Sequence, residues 1–106
     1  MADWNGSLTL GTEQMAALDA FIHQPDTRKG DIFAQGTLPV NPGLAVDWII
    51  KHDLFEGVVI HFSLMAQDGT VFLAGADASL SQAADLRESY VLEHEDARYH
   101  VTIAQA

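Results

Sequence analysis

The residues of this 106-residue chain that could most directly bind a metal or transfer a proton are its five histidines. They are His23, His52, His61, His94 and His100. A zinc or iron site needs three or four converging ligands, and compact spacings such as His-x-His or HExxH indicate one. The chain has neither spacing and no cysteine. We therefore expect no metal and no cofactor, and interpret the histidines as surface residues whose acidic neighbours favour the protonated imidazole.

The usual motifs of covalent catalysis and phosphate binding are missing from this chain. No serine stands in a Gly-x-Ser-x-Gly context, and neither a P-loop nor a GxGxxG loop occurs. Gly69 and Gly75 have the context of turn residues instead. No catalytic residue can be named from the sequence, so the leading interpretation is a protein without enzymatic activity.

Acidity is the strongest feature of the composition. Fifteen Asp and Glu stand against five Lys and Arg, which gives a net charge of −10 with neutral histidines. Binding to a phosphate backbone depends on lysines and arginines that displace counterions, so direct nucleic-acid binding is disfavoured. A basic protein partner is favoured instead. The alternative is that the acids only keep a small protein soluble, or reflect a salt-adapted source.

The acids of the second half of the chain are the candidate partner-binding surface. A negative surface of this kind steers a basic partner and can take the place of phosphates in a nucleic-acid groove. We expect an inhibitor, an immunity factor or a phage-type accessory protein that occupies a basic, nucleic-acid-handling partner. The candidate residues are Asp77, Asp85, Glu88, Glu93, Glu95 and Asp96.

Two other functions remain open from the sequence. One is a small-molecule-binding or catalytic domain with a pocket between helix and sheet, lined by Trp48, His61 and Tyr99. The other is a homo-oligomeric structural component, a homodimer or larger, in which unpaired sheet edges join the subunits.

The elements that must position these residues centre on a hairpin over 57–75. Val58, Ile60, Phe62 and Leu64 fall on one face and Val59, His61 and Ser63 on the other, which is the alternation of a strand. Asp68-Gly69 then predicts a two-residue type I′ turn. A second hairpin is predicted around Glu95-Asp96-Ala97, because apolar residues alternate on both sides of that turn.

Two further strands are predicted between residues 31 and 51. Asn41-Pro42 before residues 44–51 and Gly57 after them also suit a helix, but the apolar residues alternate, which favours a strand; a weaker strand is expected over 31–38. Residues 38–43 are predicted to form a loop, because Pro39 and Pro42 cannot sit inside a paired ladder.

A single amphipathic helix is predicted over residues 12–24. Thr12 has the type of an N-cap, apolar residues recur at helical spacing, and Pro25 ends the pattern. Together the elements predict one α+β domain over 1–106: a mainly antiparallel sheet of about six or seven strands with this helix packed on one face.

Targeting signals are the last feature that the sequence addresses. The first residues lack the basic flank and apolar core of a signal peptide, and no apolar run approaches the roughly 20 residues of a membrane-spanning helix. We therefore expect a cytoplasmic protein without a membrane partner.

Overall fold

A computed structural model describes residues 2–25 and 28–105, with the side chains of Ala2 and of residues 73–77 outside the described part. It contains one α-helix and mostly antiparallel strands, which confirms the α+β prediction. The elements in chain order are β1 (Ala2–Leu10), α1 (Thr12–His23), β2 (Ile32–Asn41), β3 (Leu44–Asp53), β4 (Gly57–Ala66), β5 (Val71–Ser79), a 3₁₀ turn (Ala83–Asp85), β6 (Ser89–His94) and β7 (Ala97–Gln105).

The seven described strands form two sheets rather than one. The larger sheet is an antiparallel meander in the order β2-β3-β4-β5, and the smaller has the order β1-β7-β6. In this smaller sheet β1 and β7, the first and last strands of the chain, pair in parallel, with Trp4 opposite Tyr99 and Leu8 opposite Ile103. Parallel pairing of elements so far apart in the chain has no local signature, so the sequence could not predict it.

The core lies between the two sheets. Phe62 of β4 and Tyr90 of β6 meet across it with ring centroids 5.0 Å apart. The alternation that predicted the strands selects these buried residues, because successive side chains of a strand point to opposite faces. Among the described residues, the apolar ones with no exposed surface are Leu18, Val46, Ile50, Ile60, Phe62, Leu64 and Val101.

The predicted hairpin over 57–75 is confirmed, but its turn type is wrong. A type I′ turn requires positive φ at both central residues. Here only Gly69 has a positive φ, 90°, and its N–H donates to the carbonyl of Ala66 at 3.0 Å. The N–H of Ala66 in turn donates to Thr70 at 2.8 Å, so the loop has three residues with a glycine bulge.

The predicted loop over 38–43 is also wrong in part, because β2 continues to Asn41. Pro39 is opposite Ala45 of β3, with an irregularity in the pairing just after it. β2 is an edge strand, so Pro39 does not remove a ladder hydrogen bond from a second neighbour. Only Pro42 and Gly43 are left as the turn between β2 and β3.

Helix α1 packs against the core through Leu18, and its N-cap lies one residue earlier than predicted. That cap is Gly11 rather than the predicted Thr12, and the side chain of Gln14 accepts the Gly11 N–H at 2.7 Å. The carboxylate of Asp19 accepts the N–H of Ala83 at 2.9 Å, which ties the helix to the 3₁₀ turn. Of the helices in the described ranges, none has the length and apolar character needed to cross a membrane.

Candidate functional site

The turn between β6 and β7 brings three of the predicted partner-binding residues together. Glu93 is the next-to-last residue of β6, and Glu95 and Asp96 form the two-residue connection to Ala97. All three are exposed, and the Glu95 side chain keeps 84% of its accessible surface. The backbone of Glu95 is left-handed, with a φ of 56°, so its carboxylate is presented from a tight turn.

A fourth carboxylate joins them from the first strand of the chain. In the three-stranded sheet, Arg98 pairs with Asp3 on one side and with Glu93 on the other. Paired residues point to the same face, here the one opposite the buried Tyr99, and neighbouring strands lie about 4.8 Å apart. We call the surface formed by Asp3, Glu93, Glu95 and Asp96 the acidic end.

Arg98 is the one arginine or lysine among the described residues at the acidic end. Its Nε lies 3.5 Å from an oxygen of Glu93, and both side chains are largely exposed. The chain's other basic residues lie at the opposite end: Arg28 and Lys29 before β2, Lys51 near the end of β3 and Arg87 before β6. Three carboxylates of the acidic end are therefore left without a paired arginine or lysine in the described structure.

Three other predicted partner-binding residues lie elsewhere or outside the described side chains. Asp85 is in the 3₁₀ turn and Glu88 immediately precedes β6, whereas the acidic end follows that strand. The six residues of β6 extend over about 17 Å, which is twice the screening length of about 8 Å at physiological salt. Asp85 and Glu88 thus do not share a surface with Glu93. The side chain of Asp77 lies outside the described part of the chain.

Asp85 also has a structural role of its own. Its carboxylate accepts the N–H of Ser81 at 2.8 Å and that of Gln82 at 3.2 Å. The Ser81 N–H is the main reason why the pKa of Asp85 lies below its ordinary value of 3.8. The Thr70 hydroxyl, and after it the Thr70 N–H, lower the pKa of Asp68, and the Phe55 N–H lowers the pKa of Asp53. These aspartates stabilise turns in their ionised form.

The structure does not bring the alternative pocket residues Trp48, His61 and Tyr99 together. Trp48 packs against the core, and His61 lies on the opposite face of the same sheet, since it alternates with the buried Ile60 and Phe62. Tyr99 belongs to the other sheet, where its ring centroid lies 6.4 Å from that of Trp4. A small molecule could not contact these three side chains from one pocket.

Tyr99 instead lines a cavity of about 160 Å³ at the open edge between the two sheets. We call it the mouth cavity. The acidic end adjoins it, because Asp3 is one of its lining residues. The mouth cavity is lined by Asp3, Trp4, Val40, Asn41, Leu44, Ala97 and Tyr99.

The histidines make separate local contacts. His94 stacks on Phe72 with ring centroids 5.7 Å apart, and its Nε2 lies 3.9 Å from a Glu95 oxygen. His23 Nδ1 lies 2.9 Å from the carbonyl oxygen of Asp19, one helical turn earlier. Within the described residues, no three His, Asp or Glu side chains are grouped so that they could hold a metal ion.

Comparison with known proteins adds no relative to this description: the chain matches no family model, no curated protein and no solved structure. The sequence missed Asp3 as a member of the acidic end. Asp3 reaches the acidic end only because β1 pairs in parallel with β7, and a single sequence gives no indication of that pairing. Glu93, Glu95 and Asp96 were found because they surround a predicted hairpin turn.

Proposed function

We propose that this chain is a non-enzymatic protein-binding domain whose acidic end engages a basic surface of a partner protein. The observation that supports this function is the accumulation of Asp3, Glu93, Glu95 and Asp96 around a single arginine that Glu93 already neutralises. Four exposed carboxylates on one end create a local negative potential, which raises the rate of encounter with a lysine- and arginine-rich surface. Nucleic-acid-handling proteins expose such surfaces, so an inhibitory, immunity or accessory role fits this chemistry.

Binding through exposed charges has a distinctive dependence on salt. At physiological ionic strength, salt screens the attraction between exposed charges that lie more than about 8 Å apart, so the complex should weaken steeply as salt rises. The partner should be retained from a source-cell extract at low salt and released at high salt. Identification by mass spectrometry then tells whether the released protein is basic.

A pair of charge-matched variants tests whether the location of the acids matters. The first combines Glu93→Gln, Glu95→Gln and Asp96→Asn at the acidic end. The second combines Glu13→Gln, Glu56→Gln and Glu88→Gln, which are exposed positions away from that end. Both triples change the net charge by the same amount. We expect the first to lose the partner and the second to keep it; equal losses would mean that net charge alone binds the partner and would refute the proposed site.

A further inference from the structure

The turn between β3 and β4 exposes two large apolar side chains at the end of the molecule opposite the acidic end. Phe55 keeps 87% of its accessible surface and Leu54 keeps 53%. We call Leu54 and Phe55 the hairpin tip. Aromatic side chains at the centre of protein interfaces contribute most of the binding energy, so an aromatic ring this exposed calls for a partner surface.

The hairpin tip has a defined conformation. The carboxylate of Asp53 accepts the N–H of Phe55 at 3.2 Å, and the hydroxyl of Ser79 donates to Glu56 at 3.3 Å. Gly57 closes the turn with a φ of 72°, which a residue with a side chain rarely adopts. Because the turn is already ordered, burying Phe55 in a partner would require little further loss of backbone freedom.

Basic groups lie beside the hairpin tip. Lys29, Lys51 and His52 line a cavity of about 310 Å³ together with Gly30, Asp53 and Leu54. The buried Nδ1 of His52 has no hydrogen-bond partner among the described residues. This end therefore offers ammonium groups and an apolar anchor side by side, and the neighbouring carboxylates of Asp53 and Glu56 accept hydrogen bonds from Phe55 and Ser79.

The acidic end offers the complementary features. Its mouth cavity of about 160 Å³ is lined mainly by apolar and aromatic residues, with Asp3 of the acidic end among the lining residues. Apolar cavities of about 150 Å³ accommodate benzene, the ring that a phenylalanine side chain carries. Glu95 and Asp96 precede Ala97, another residue of this cavity.

We propose that the partner of the acidic end is the hairpin tip of a second copy of this chain, with Phe55 inserted in the mouth cavity. The inference rests on the proposed function, because it names the surface that the acidic end binds. Lys29 and Lys51 of one copy would face the carboxylates of the next. Since the two surfaces are different, the contact is head-to-tail, and repetition produces a ring or an open chain of subunits.

Salt separates this inference from binding of another, basic protein. Two copies that each carry a net charge of −10 repel one another, and salt screens that repulsion. Salt also weakens the attraction of Lys29 and Lys51 to the carboxylates, but insertion of the apolar Phe55 ring does not depend on charge. Self-association should therefore persist or increase as salt rises, whereas a complex with a basic protein should weaken.

Sedimentation velocity over a range of concentrations tests the inference directly. We expect the wild-type chain to form species larger than a dimer, and Phe55→Ser to weaken association about 30-fold, as for an aromatic hot-spot residue. Ala97→Phe should have the same effect by filling the mouth cavity. Val91→Ser, which removes an exposed apolar side chain from the outer face of the small sheet, should leave association unchanged.

Mixing the two defective variants distinguishes head-to-tail association from a symmetric dimer. Phe55→Ser retains an intact mouth cavity, and Ala97→Phe retains an intact hairpin tip. An equimolar mixture should form a 1:1 heterodimer that cannot grow further, with circular dichroism showing that each variant is folded. A monomeric wild type, association unaffected by Phe55→Ser, or a mixture that stays monomeric would each overturn the inference. If one of these results is found but substitution of Glu93, Glu95 and Asp96 still abolishes binding of a basic protein, the proposed function stands and only the self-association is refuted.

Discussion

The Nε of Arg98 lies 3.5 Å from a carboxylate oxygen of Glu93, and Arg98 is flanked on its other side by Asp3. This row of acid, base and acid crosses all three strands of the small sheet on its outer face. An exposed ion pair of this kind contributes at most about 1 kcal/mol to stability. Its larger effect is on the potential of the acidic end, because the guanidinium offsets one of the four carboxylates.

Replacement of Arg98 by Gln should therefore strengthen the acidic end as a binding surface. With the guanidinium removed, we expect a fluorescent oligolysine peptide to associate a few-fold faster at low salt, with little change in stability. Stopped-flow fluorescence at two ionic strengths measures this. Arg87→Gln changes the net charge equally but lies at the other end of β6, so it serves as the control. Equal acceleration in both variants would contradict a localised effect.

Asp85 should make the stability of the fold depend on pH. Its pKa is lowered mainly by the Ser81 N–H, so its ionised form is favoured in the folded chain. A lowered pKa contributes stability above the ordinary value of 3.8, and this contribution is lost as the pH falls through the lower, folded-state value. Asp85→Asn should accordingly lower the urea midpoint at neutral pH and have a progressively smaller effect well below pH 3.8.

The matched control for this measurement is Glu88→Gln, an exposed carboxylate three residues further along. It removes the same charge without removing a carboxylate that caps the 3₁₀ turn. A constant difference between wild type and Asp85→Asn at every pH would contradict the role of the ionised carboxylate.

The local patterns of the sequence predicted the strands well because alternation is a property of a few consecutive residues. Val58, Ile60 and Phe62 are buried as their spacing indicated, and Tyr99 and Val101 likewise face the core. The predictions that were wrong depend on which strands lie next to one another in the sheet, and the local sequence pattern does not contain that information. Pro39 is tolerated because β2 happens to be an edge strand, and edge position is a property of the whole sheet.

The candidate site shows the same division between local and global information. Glu93, Glu95 and Asp96 are close in the chain and remain close in the fold. Asp3 reaches them only through the pairing of the first strand with the last, and Glu88 is separated from them by the full length of β6. Charged residues that are close in the sequence therefore predict a common surface only when a single turn holds them together.

Gly36 should be intolerant of any side chain, because the indole of Trp48 occupies the space above it. A Cβ added to Gly36 would lie 2.7 Å from Nε1 and 2.8 Å from Cε2 of that indole, which packs against the core. Forcing extra volume into a packed site costs about 1–3 kcal/mol. We expect Gly36→Ala to lower the free energy of unfolding by this amount in urea denaturation.

Two further variants connect that loss to the indole. Gly43→Ala is the control, since an added Cβ there meets only the Asn41 Oδ1 atom at 3.7 Å, an ordinary contact. In a Trp48→Leu background the penalty of Gly36→Ala should largely vanish, which a double-mutant cycle measures as a coupling energy. An undiminished penalty in that background would show that the loss does not come from contact with the indole.

Replacement of Glu95 should raise the stability of the fold and weaken binding at the acidic end. Its φ of 56° is a left-handed conformation that Asn adopts more readily than Glu. Glu95→Asn should thus raise the free energy of unfolding by about 1 kcal/mol, while it removes a carboxylate from the acidic end and weakens oligolysine binding. Asp96→Asn, in the same turn and without a positive φ, loses the same charge and should weaken binding without that gain. Should both variants gain stability equally, relief of charge repulsion rather than of backbone strain would be the cause, and the left-handed geometry of Glu95 would carry no energetic consequence for the acidic end.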